Sequence, residues 1–89
     1  MPFYDTNFNR VLVSVSRPGE AARVYAYLRD WLNSVVVSEP DEHGRIDIAI
    51  DQQPNDAAAV GIREVLDREW QDRAEWIRVE PTNRPLQGL

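Results

Sequence analysis

The chain has no cysteine and no lysine, and only one histidine and one methionine among its 89 residues. Without thiols, disulfides, thiolate zinc sites, iron–sulfur clusters and cysteine nucleophiles are all excluded, and a reducing cytoplasm is the compartment expected. A lone histidine, His43, lies in a turn-like stretch, while Ser14, Ser16, Ser34 and Ser38 fall in or beside strand-like runs, so no Ser-His-Asp arrangement is expected. All ten basic residues are arginines, spread evenly from Arg10 to Arg84 against fifteen Asp and Glu, for a net charge of −5. That spread offers no basic stripe, so neither nucleic acid nor an anionic membrane is expected as a partner. No apolar run approaches the roughly 20 residues of a membrane span. The opening MPFYDTNFNR has neither the basic n-region nor the apolar stretch of a signal peptide, so no targeting segment is expected.

What is present suffices for one small domain. A chain of this size buries only about 60–65% of its unfolded surface, so its core is thin and self-association is expected. Residues 10–16, RVLVSVS, alternate with period two and predict a strand with Val11, Val13 and Val15 on one face. RPGE at 17–20 breaks it, with Pro18 suited to a first helical turn. Ala21, Val24, Tyr25, Leu28, Trp31 and Leu32 then form one helical stripe, with Glu20, Arg23, Tyr27 and Asp30 on the far side. Val35 to Glu39 predict a second strand, which Pro40 ends, and Asp41 to Gly44 a hairpin turn. RIDIAID, 45–51, predicts a third strand with Ile46, Ile48 and Ile50 inward. Pro54-Asn55-Asp56 opens a second helix carrying Ala58, Ala59, Ile62, Val65, Leu66 and Trp70, within which Gly61 implies close helix-to-sheet approach. Ala74 to Glu80 predict a last strand closed by Pro81.

The order strand-helix-strand-strand-helix-strand predicts an α+β ferredoxin-like βαββαβ sandwich, a four-stranded antiparallel sheet with two helices on one face. The domain is expected over 10–80, between an arm (1–9) and a tail (81–89). The uncovered face is expected to show Leu12, Ser14, Val36, Ser38, Asp47, Ala49, Trp76 and Arg78. Of these, Leu12, Val36, Ala49, Trp76 and Arg78 are the candidate interface residues, with Trp76 the expected anchor. A second subunit or the aromatic arm of Phe3, Tyr4 and Phe8 is expected to cover that face. RNA-reading sheets of this fold place stacking aromatics on their middle strands, where this chain has Leu12, Ser14, Asp47 and Ala49.

Catalytic and metal chemistry find little support. His43 with Asp41 and Glu42 lacks the second histidine and rigid spacing of a metal site, so no metal or other cofactor is expected. Asp47 and Asp51 are the wet side of a strand rather than an acid–base pair. The strand-to-helix turn at RPGE is the most informative segment, because free N–H groups at a helix start beside a glycine admit an anion.

Residues 10–80 resemble an ACT domain, on RVLVSVSRPGEAARVYAYL and on the order of the second strand, the Asp41–Gly44 hairpin and RIDIAID. ACT domains are regulatory modules that bind amino acids at dimer interfaces. The resemblance implies that Arg17, Gly19 and Glu20 lie nearest a ligand, with Asn33 contributing from the helix end. The expectation is therefore a small, non-catalytic, cytoplasmic module that forms a homodimer and binds a partner protein or a small polar metabolite. The alternative is a dimeric α/β-barrel-type enzyme with its substrate between sheet and helices.

Overall fold

The computed structural model describes residues 9–33, 35–50 and 54–82. In chain order they form strand β1 (Asn9–Val15), helix α1 (Ala21–Trp31), strand β2 (Val36–Val37), strand β3 (Arg45–Ile50), helix α2 (Asn55–Glu69), the helical turn α3 (Arg73–Trp76) and strand β4 (Ile77–Thr82). The sheet order is β2-β3-β1-β4, with every neighbouring pair antiparallel. The connection through α1 therefore spans β3 and the connection through α2 spans β1, the split β–α–β arrangement. The molecule is an α+β sandwich.

Alternation in the strands decides which face is buried. Val13 lies opposite both Ile46 and Val79, and Val11 opposite Ile48, so the aliphatic positions of three strands share one face. Against it pack Val24 and Leu28 of α1 and Ala58, Ala59, Ile62 and Leu66 of α2, in one continuous core. Among the described residues no polar or charged residue is buried.

Several local expectations are corrected. Trp76 does not lie on the uncovered face. It closes α3 ahead of β4, is only 5% exposed and belongs to the core. The strand pattern over 74–80 is a helical turn followed by a strand, and that shift of phase is what turns the ring inward. Tyr27, expected to face water, is half-buried, its hydroxyl 3.5 Å from the Val65 carbonyl of α2. Its ring meets Trp70 edge-on at 5.3 Å, and Trp70 meets Trp76 edge-on at 6.0 Å. Trp31, at the last position of α1, is 51% exposed rather than part of the apolar stripe. A methyl group placed on Gly61 would meet no heavy atom within 4 Å, so this glycine marks no close approach.

Pro81 does not end the last strand, which continues to Thr82. Ser16 N donates to the Trp76 carbonyl at 2.9 Å, in phase with the β1–β4 register. Even-numbered β4 residues therefore bond to β1, and odd-numbered ones turn their backbone groups toward the outer edge. Pro81 sits at such an outward position, where a missing N–H costs no ladder bond. The aromatic arm Phe3, Tyr4 and Phe8 lies outside the described residues, as do 83–89 of the expected tail.

Candidate functional site

The face opposite the helices is a grid set by the register. One row runs Thr82, Arg10, Ala49, Val36, and the next runs Glu80, Leu12, Asp47, with Ser38 continuing it through its N–H to the Asp47 carbonyl at 2.9 Å. The third row is Arg78, Ser14, Arg45. Leu12 and Ala49 are half-buried at the centre, and Val36 is 70% exposed at the margin. These three form an apolar diagonal across the sheet.

Charged side chains surround that diagonal in opposed pairs. Arg10 grips Asp47 with two prongs, Nε lying 3.1 Å from Oδ1. Arg78 Nη1 lies 3.7 Å from Glu80 Oε2, and Arg45 Nε 3.0 Å from Asp41 Oδ2. Asp41 is the organiser of the hairpin, since its Oδ1 also accepts the N–H groups of His43 at 2.8 Å and Arg45 at 2.9 Å. The Arg45 N–H is the main reason its carboxyl titrates below the usual range; desolvation opposes it, and the His43 N–H and the Arg45 guanidinium add to the lowering. Both oxygens of Asp41 are thus engaged in holding the turn, and exposed His43 has Glu42 3.5 Å from Nε2.

The four residues of the expected ligand site do not come together within one chain. Arg17, Gly19 and Glu20 lie at the start of α1, whereas Asn33 lies past its other end, about 16 Å of helix away. Arg17 is occupied by its own chain, its guanidinium 4.5 Å from the centre of the Trp76 ring and its Nη2 3.1 Å from Asp72 Oδ2. The Asp72 carboxyl is held low first by the Trp76 indole N–H and then by Arg17, against the opposing effect of partial desolvation. Trp76 Nε1 is itself buried and makes no hydrogen bond of standard geometry. Gly19 has φ +88°, and Glu20 Oε1 sits 3.5 Å from Arg23.

Between the sheet and the helices, where an α/β-barrel enzyme would hold substrate, lie the fully buried side chains of Leu28, Ile46, Ile48, Leu66 and Ile77. Among the described residues no three His, Cys, Asp or Glu side chains group to hold a metal ion. No helix among them is long and apolar enough to cross a membrane.

The open face holds the expected Leu12, Val36, Ala49 and Arg78 together with Arg10, Arg45 and Glu80, which the expected set left out, and Asp72 beside Arg17 was not expected either. Arg10 shares the parity of Leu12 and Ser14, which was signal enough. Asp72 has no local signal, because only the fold of α3 brings it to Arg17. No family model, curated protein or solved structure matches the chain.

Proposed function

We propose that this chain is a small, non-catalytic binding module of the cytoplasm that works as a homodimer, a second copy being seated on the open face of the sheet. The observation that carries the reading is the Leu12–Ala49–Val36 diagonal, apolar and unshared with the helices, set among charges of both signs. Arg10, Arg45 and Arg78 stand there against Asp47 and Glu80. A strongly acidic or basic partner would meet like charges on such a face, whereas a second copy brings the same mixed set and matches it by rotation. Trp76 is no part of this surface. The ACT-like expectation of a small polar metabolite belongs to the same proposal and falls on Arg17, Gly19 and Glu20.

Sedimentation velocity of the wild type, Leu12→Asp and Ala49→Arg tests the reading. A concentration-dependent dimer that both substitutions weaken, with circular dichroism unchanged, is expected. A wild-type chain that stays monomeric at high concentration overturns the proposal, as does a dimer indifferent to both changes. For the metabolite, millimolar amino acids should raise the melting temperature by mass action, and a flat response removes that part.

A further inference from the structure

The outer edge of β4 is closed in three successive ways. Of its outward positions, Ile77 has its carbonyl taken by Arg73 Nη1 at 3.2 Å. Val79 has its carbonyl taken by Arg63, which reaches from α2 and donates from Nε at 3.1 Å and Nη2 at 2.7 Å. Pro81 has no N–H to offer. A guanidinium fork on a single strand carbonyl is a charge-assisted contact and occupies the acceptor that an added strand would use.

The same edge is self-complementary. Antiparallel pairing of two β4 strands about Val79 sets each Val79 against its copy, exchanging N–H and C=O in both directions. It also sets Arg78 opposite Glu80 of the second copy, and Glu80 opposite Arg78, as adjacent cross-strand pairs on the open side. Among the described residues these two exposed side chains meet each other in one loose contact of 3.7 Å.

We infer that the β4 edge is a docking surface for the β4 edge of a second copy, kept closed by Arg63. In that register each Ile77 falls opposite Pro81 of the second copy, where no N–H is offered, so the pairing rests on the Val79 bonds and the two charge pairs alone and requires the Arg63 fork to leave the Val79 carbonyl. It uses the backbone edge of β4 rather than the Leu12–Ala49–Val36 patch, shares only Arg78 and Glu80 with the open face, and does not rest on that reading.

The test uses the full chain carrying Leu12→Asp, which removes any association through the open face, and follows sedimentation with circular dichroism as the check on folding. Arg63→Met, which keeps the aliphatic stem and removes the fork, should tighten dimer formation by at least about tenfold. Adding Arg78→Glu should reverse the gain, because like charges then face each other twice, and adding Glu80→Arg to that variant should restore it. Arg63→Lys, with one donor group in place of the fork, should lie between wild type and Arg63→Met, and it decides the matter if the methionine variant does not fold. Folded Arg63 variants no more associated than their parent overturn the inference. So does new association that ignores the charge exchange at Arg78 and Glu80.

Discussion

The Arg17 guanidinium bridges the face of Trp76, 4.5 Å from the ring centre, and the carboxylate of Asp72, 3.1 Å from Nη2. A cation placed in this way closes the junction between the turn after β1 and the helical turn before β4. The ring beneath it is core, and its loss empties the space between α2, α3 and the sheet. Trp76→Ala is expected to destabilise the fold by about 3–5 kcal/mol, read as a lowered denaturant midpoint. Arg17→Ala removes only exposed contacts and should cost at most about 1 kcal/mol. If Trp76→Ala left the midpoint unchanged while weakening association, the ring would be an interface anchor after all.

The contrast between Trp76 and Leu12 shows how far the sequence could be read. Leu12 lies within β1, where β-branched neighbours alternate without interruption, so its face follows from parity alone. Trp76 lies at a change of period from helix to strand, and a side chain there points wherever the last helical residue points. The alternation 74–80 was real as a pattern but began three residues too early. Pro81 departs from expectation for a related reason, since whether proline ends a strand depends on whether its missing N–H faces a neighbouring strand or the outer edge. Sheet order, the Arg63 fork and the Asp72–Arg17 pair all join residues distant in the chain, and no local pattern encodes them.

Three glycines separate conformation from space. Gly44 has φ +76°, and a methyl group on it would lie 2.4 Å from the Val15 carbonyl oxygen, whose own residue donates its N–H back to Gly44 at 2.9 Å. Gly44→Ala should cost at least about 2 kcal/mol, from left-handed strain and from a backbone clash that cannot relax cheaply. Gly19 has φ +88° but open space, so Gly19→Ala should cost about 1 kcal/mol. Gly61 is helical with open space around it, and Gly61→Ala should stabilise by about 0.5–1 kcal/mol. Urea unfolding of the three variants orders them, and Gly44→Ala ranking below Gly19→Ala in cost would show that the hairpin moves away from β1.

Asp41 and Asp72 give the fold an acid-side dependence. Both carboxyls titrate below the ordinary value of 3.8 in the folded chain. The stability they contribute is therefore complete above that value and is lost as pH falls through the folded pKa. Asp41→Asn and Asp72→Asn should each lower the unfolding midpoint by a constant amount from pH 5 to 8. The gap should then narrow steadily below about pH 4. A gap that persisted undiminished at pH 2 would mean that shape, not charge, is what these side chains supply.

The two faces of the sheet should respond oppositely to the same chemical change. Leu12 and Ile48 both occupy central strands, but Ile48 is fully buried under the helices and Leu12 looks out from the open grid. Threonine has the β-branched shape that strands favour, retained at Ile48 and gained at Leu12, and it adds a hydroxyl at both. Ile48→Thr buries that hydroxyl without a partner and is expected to cost about 2–4 kcal/mol, whereas Leu12→Thr leaves it in water and should stay within about 1 kcal/mol of the wild type. The order reverses for association, where Leu12→Thr should weaken the dimer and Ile48→Thr should not beyond its effect on folding. Paired measurements of denaturant midpoint and sedimentation on the two variants therefore separate a surface made for docking from one made for the core, and equal costs on both faces would mean that the open face is already covered within the chain.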